Sequence, residues 1–253
     1  MSGNFNKYAR NCVQMNISNT MSPIIVALDY SDMSQALNMA RNLDPRSCRV
    51  KVGKELFTRC GPKIIEELHL LGFEVFLDLK FHDIPNTTAN AVGVAAEMGV
   101  WMVNVHASGG RRMLEACVEK LCTFKQKPLL IGVTVLTSME SKDLLDVGIS
   151  DSPWLQVNRL SGLCLSSGLD GVVCSSQEVV NLKKNYNDSL KLITPGIRPI
   201  FSEKGDQRRV MTPSMAKEAG SDYLVIGRPI TQAKEPLKAL DMIQQELGFI
   251  QSV

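Results

Sequence analysis

The chain has 253 residues, 44% of them hydrophobic and 21% charged, with a formal net charge of +2. That composition supports a sizeable buried core, and its charge is too small to argue for nucleic acid or a membrane surface as a partner. Seven cysteines without a C-x-x-C pair, and three scattered histidines, argue against a disulfide framework and a zinc site; they fit reduced thiols in a cytoplasmic protein.

Residues 1–21 are polar and lack the apolar stretch of a secretory signal. A disordered tail is expected there, followed by a single domain over residues 22–253. The first apolar run, Ile24–Leu28, closes on Asp29, and Ser34–Leu43 follows with apolar residues at three- and four-residue spacing. The second run, Cys48–Val52, carries Lys51 and precedes a helical pattern at Pro62–Leu71. The third, Glu74–Leu79, carries Asp78, with Lys80 beside it and Asp83 beyond. Thr88–Met98 has helical spacing. The fourth run, Trp101–Val105, ends at His106, and Arg111–Leu121 is again helical. The fifth, Leu129–Val135, reaches Thr137, and the sixth is Gly171–Cys174. The seventh, Leu190–Ile193, leads into Thr-Pro-Gly-Ile-Arg-Pro, and the eighth, Tyr223–Ile226, into Gly-Arg-Pro. No apolar run reaches transmembrane length.

Eight strand–helix units at a mean spacing of roughly 28 residues predict a single-domain α/β protein, a (β/α)₈ TIM barrel. An open doubly wound sheet is the alternative. Against a dinucleotide fold, Val-Ala-Leu-Asp-Tyr stands after the first strand where G-x-G-x-x-G would be needed.

In such a barrel the site lies at the carboxyl ends of the strands, where acids and bases alternate in this sequence. Asp78 and Lys80 are two apart on one strand, which points both side chains to one face. A structural ion-pair ladder would also suit D-x-K-x-x-D. Five ionisable groups at one end of the interior (Asp29, Lys51, Asp78, Lys80 and Asp83) favour chemistry, because buried pairs contribute little net stability. Gly196 and Gly227 allow close backbone approach to an anion, and Arg228 can offer a bidentate fork. Together they suggest a phosphate site after the last two strands. The polar loop 200–210 could be a lid or a solvated surface loop. His82 and His106 are expected to be structural, Cys174 to fill core space, and Trp101 to pack.

Leu-Asp-Leu-Lys-Phe-His-Asp-Ile-Pro-Asn-Thr at 77–87 resembles the signature of orotidine 5′-phosphate decarboxylases. Val-Ala-Leu-Asp at 26–29, Lys-Val-Gly-Lys-Glu at 51–55, Val-Asn-Val-His-Ala-Ser-Gly-Gly at 103–110 and Thr-Val-Leu-Thr-Ser at 134–138 are similar to further blocks of that family. So are Thr-Pro-Gly-Ile-Arg-Pro at 194–199, Gly-Asp-Gln-Arg-Arg at 205–209 and Ile-Gly-Arg-Pro at 226–229. They occur in the family's order, in the style of its bacterial members. The resemblance implies a cofactor-free decarboxylase of a nucleotide substrate, with no metal. By the same resemblance, Lys80 protonates C6, Asp78 stands beside the substrate carboxylate, and Asp83 and Thr87 complete the site of the other subunit in a homodimer. Asp29 and Lys51 match ribose contacts, and Thr137 a pyrimidine contact. Gln207, Gly227 and Arg228 match phosphate contacts, and Arg198 a further ligand contact. A magnesium-dependent sugar-phosphate decarboxylase of the same superfamily shares the D-x-K-x-x-D core, but Lys51 stands where that relative carries an acidic residue. A nucleotide-binding barrel without catalysis is the other alternative.

Overall fold

The computed structural model describes residues 22–202 and 211–249. The expected tail, residues 1–21, lies outside the described residues.

Eight parallel strands close on themselves in sequence order: β1 (Ile24–Ala27), β2 (Arg49–Gly53), β3 (Val75–Phe81), β4 (Met102–His106), β5 (Leu129–Val133), β6 (Gly171–Val173), β7 (Lys191–Thr194) and β8 (Tyr223–Ile226), with β1 paired to β8. The strands read as nearly continuous apolar runs because both faces are covered. One face meets the surrounding helices: Ile24, Val26, Val50, Val52, Leu77, Val103 and Val105 join the large outer core. The other face fills the barrel. Ile25, Phe76, Met102, Ile131 and Ile193, each at most 1% exposed, form an apolar disc across its middle.

Below the disc, at the amino end of the strands, Arg49 closes the barrel. Its Nε donates to Glu74 Oε2 at 2.7 Å and its Nη1 to the Ser22 carbonyl at 3.0 Å. The guanidinium lies 4.2 Å from the Trp101 ring centroid, and Tyr223 meets that indole edge-on at 5.0 Å. Trp101 packs, as expected, but as the platform of a cation rather than in a plain apolar contact.

The elements depart from the sequence reading in places with identifiable causes. Two helices, Lys54–Cys60 and Lys63–Leu70, stand where only the second had a clear pattern. Gly61 at φ +61° stops the first, and Pro62 opens the second. β5 ends at Val133 rather than Val135. β3 runs two residues further than the apolar run, to Phe81, and it is irregular: Leu77 pairs with Val103 and Phe81 with Val105, so β3 spends four residues where β4 spends two. The two extra residues form a bulge. Because their number is even, the alternation of inner and outer side chains survives it.

Candidate active site

The bulge lies at the carboxyl end of β3 and contains Asp78 and Lys80. Lys80 adopts φ +52°, the left-handed region, at an intrinsic cost of about 1–2 kcal/mol for a residue with a Cβ. Both side chains still point inward. Lys80 Nζ donates to Asp78 Oδ1 at 2.5 Å. Asp78 Oδ2 lies 3.2 Å from Lys51 Nζ, which in turn donates to Asp29 Oδ1 at 3.1 Å. The ends of β1, β2 and β3 thus carry an alternating row: Asp29, Lys51, Asp78, Lys80.

Burial makes this row electrostatically strong. Lys51 and Asp78 are 8% and 9% exposed, whereas Asp29 faces solvent. Burial alone would push the Asp78 carboxyl up; the ammonium groups of Lys51 and Lys80 outweigh it and hold the group below its ordinary value. Burial alone would pull Lys51 down; Asp78 and Asp29 outweigh it and hold the ammonium above its ordinary value. Both groups are therefore charged at neutral pH.

Asn104, on β4 and fully buried, is the residue that sequence reasoning missed. Its Nδ2 donates to Asp78 Oδ1 at 2.7 Å, and its Oδ1 accepts from the Lys80 backbone N–H at 2.8 Å. The signal was an asparagine inside the apolar strand Met102–His106, at the inward parity of Met102.

The row opens into a cavity of about 270 Å³ at the carboxyl end of the barrel. Val133, Val135, Val173, Ile193 and Val225 give it apolar walls, and Phe76 lines it from the disc. Thr137, Gly196, Arg198, Gly227 and Arg228 also line it, so the residues after β5, β7 and β8 converge on the space the charged row faces. Gly196 has φ +82°, which its neighbours Pro195 and Ile197 would not adopt without strain. Arg198 is 7% exposed, and its Nη1 donates to the Ile197 carbonyl. Arg228 is exposed at the mouth. The residues on either side of the 200–210 loop are joined: the Arg198 N–H donates to the Met211 carbonyl at 3.0 Å. Gln207 and residues 203–210 of that loop lie outside the described residues.

One expectation needs correction. The barrel end holds four of the five ionisable groups, not five. Asp83 is exposed and outside the cavity of its own chain, with its carboxylate accepting from the Ile84 N–H at 2.6 Å. Thr87, in the first turn of the helix Pro85–Glu97, is likewise exposed. The bulge ends at Phe81, and the chain then turns outward into this helix, carrying both residues away from the barrel axis. His82 and His106 pair with ring centroids 5.5 Å apart, beside the site rather than in it. Cys174 is fully buried.

Residues 22–243 match the profile described as Orotidine 5′-phosphate decarboxylase / HUMPS family. The orotidine 5′-phosphate decarboxylase of Pseudomonas aeruginosa (strain LESB58) is 61% identical over 233 residues, covering 92% of this chain and 100% of that protein. That of Marinomonas sp. (strain MWYL1) is 60% identical over 230 residues, 90% of this chain and 98% of the relative. The crystal structure of orotidine 5′-phosphate decarboxylase from Lactobacillus acidophilus superposes with a TM-score of 0.79 at 38% identity, covering 89% of this chain and 98% of that one.

Proposed function

This chain belongs to the orotidine 5′-phosphate decarboxylase / HUMPS family, and we propose that it converts orotidine 5′-phosphate to uridine 5′-phosphate and carbon dioxide in pyrimidine biosynthesis. The observation that carries this reading is the buried alternating row Asp29–Lys51–Asp78–Lys80 along one wall of an otherwise largely apolar cavity.

The C6–carboxylate bond breaks heterolytically. Its electron pair stays in an orbital in the ring plane, where the π system delocalises it poorly. The Lys80 ammonium stabilises that charge and then transfers a proton to C6, and carbon dioxide leaves. Asp78 stands beside the substrate carboxylate and aims Lys80 through their ion pair. Asp29 and Lys51 bind ribose hydroxyls, and Thr137 contacts the pyrimidine. Gly227, Arg228 and Gln207 take the phosphate, with Arg198 contributing from the β7 loop. Phosphate binding far from C6 contributes to rate by organising the site around the reacting atoms. No cofactor is required by this chemistry.

Asp83 and Thr87 complete the site of a second copy in a homodimer. Support comes from their placement: both are exposed, outside their own cavity, and flank Ile84, an isoleucine 66% exposed on the same surface. The enzyme is read as cytoplasmic. Among the described residues no helix is long and apolar enough to cross a membrane.

A magnesium-dependent sugar-phosphate decarboxylase of the same superfamily is the rival reading. Lys51 weighs against it, because its ammonium already lies between Asp29 and Asp78, the two carboxylates that a divalent cation would need. The test is loss of orotidine 5′-phosphate absorbance with purified protein in EDTA. Turnover is expected; none with EDTA but turnover with magnesium would favour the rival. Lys80→Ala should abolish turnover while uridine 5′-phosphate still binds. Substantial residual turnover would remove Lys80 from the proton-donor role.

A further inference from the structure

We infer that Asn104 is a positioning residue for the proton donor: it holds the Lys80 backbone in its left-handed conformation and fixes the Asp78 oxygen on which the ammonium rests. The inference rests on the decarboxylase reading.

The geometry is a closed circuit through one side chain. The bulge removes the Lys80 N–H from regular pairing with β4, and leaving this part-buried N–H unpaired would disfavour the conformation. Asn104 Oδ1 takes that N–H at 2.8 Å. Asn104 Nδ2 donates at 2.7 Å to Asp78 Oδ1, the same oxygen that accepts from Lys80 Nζ at 2.5 Å. A backbone N–H only donates and a carboxylate only accepts, so the two partners fix which way the amide points. The side chain is fully buried and held at a fixed β-strand position, which gives the circuit a rigid anchor. Neither a pure donor nor a pure acceptor can replace it. A core aliphatic residue, which the strand pattern Met-Val-Asn-Val-His would otherwise suggest, satisfies neither partner.

Asn104 does not line the cavity, so it acts through Lys80 and Asp78 rather than on substrate. Its loss should appear in kcat rather than in nucleotide affinity. Displacement of the ammonium by about 1 Å corresponds to roughly a hundredfold in rate. Asn104→Ala is therefore expected to lower kcat about a hundredfold, while uridine 5′-phosphate binding stays within about threefold of the unsubstituted protein.

Asn104→Asp gives a readout that a merely structural role would not move. A protonated carboxyl at 104 reproduces both the donor and the acceptor of the amide. Ionised, it sets a second negative charge against Asp78, and that neighbour raises its pKa. The titrating and charged groups around it are Asp78 and Lys80, with Lys51 behind them and His106 on the same strand. Turnover of this variant relative to the unsubstituted protein should rise as the pH is lowered from about 8 towards about 5.5. A pH profile parallel to the unsubstituted protein would overturn the inference, as would Asn104→Ala with kcat within about threefold. If the alanine variant does not accumulate folded, the aspartate profile decides alone. Inactivity of the unsubstituted protein towards orotidine 5′-phosphate would instead strike the decarboxylase reading.

Discussion

Lys51→Met takes one charge from the middle of the row and keeps most of the side-chain volume. Nζ lies 3.2 Å from Asp78 Oδ2 and 3.1 Å from Asp29 Oδ1. At that separation and an effective dielectric of ~20, a unit pair is worth about 5 kcal/mol before desolvation. The Asp29 share is discounted heavily, because that carboxylate is 64% exposed. The Asp78 share is not, since Asp78 would stay buried with one cation fewer. Desolvation of Lys51 itself offsets part of the gain, and the net expected loss of stability is about 2–4 kcal/mol. Urea unfolding of the unliganded protein, at fixed protein concentration and neutral pH, measures it. The pH dependence gives a second check. The folded Asp78 carboxyl lies below its unfolded value, so its contribution is present above about pH 4 and lost as pH falls through the folded value. Without Lys51 that folded value rises, and acid destabilisation begins at higher pH in the variant. Lys51 is the opposite case: its folded value lies above the unfolded one, so its contribution is full below about pH 10.4 and lost as pH rises through the folded value. The variant should lack this alkaline loss. A variant as stable as the unsubstituted protein, with an unchanged acid limb, would refute the account of the row as mutually stabilising charges.

Arg228→Ala should lower kcat/KM about a hundredfold, the loss of a charge-assisted hydrogen bond to phosphate, with the C6 machinery intact; an unchanged kcat/KM would remove Arg228 from the phosphate role. Mixing inactive Lys80→Ala and Asp83→Ala proteins under conditions of subunit exchange should restore activity to about a quarter of the unsubstituted level, because half of the sites in each hybrid dimer are then intact. No recovery despite exchange would place Asp83 outside a shared site. Gly171→Ala would set a Cβ 2.3 Å from the Lys191 carbonyl oxygen across the β6–β7 pair. The strands must part, at about 2–3 kcal/mol, and Tm should fall by roughly 5–10 °C. An unaltered Tm would show that the barrel yields there without cost.

The order of eight strands was legible because each is an apolar run bounded by turn residues, and the charged residues closing the runs at Asp29, Lys51 and Asp78 could be read from position alone. Parity correctly placed Asp78 and Lys80 together, but for an incomplete reason: the strand between them is bulged, and only an even insertion keeps the parity. Periodicity reports which way a side chain faces within a strand; it does not report the register between strands, so the bulge was invisible. Asn104 escaped for a related reason. Its partners lie 24 and 26 residues away, and an asparagine in an apolar run has no local pattern that names them. The Arg49 cluster was likewise hidden, since Glu74, Trp101 and Tyr223 converge only when the barrel closes. Asp83 was legible as a family position, but its outward placement depends on where β3 ends.

Among the described residues, the Arg49 closure and the apolar disc above it leave the barrel one open end. The charged row rests on a floor of Ile25, Phe76, Met102, Ile131 and Ile193, with the Arg49 cation lying over the Trp101 and Tyr223 rings beneath. On the proposed chemistry, traffic is then single-file: nucleotide enters, carbon dioxide and nucleotide leave, and the proton that Lys80 has given up returns, all by the mouth that Arg228 lines. Each catalytic cycle is reset only once the doorway has been vacated.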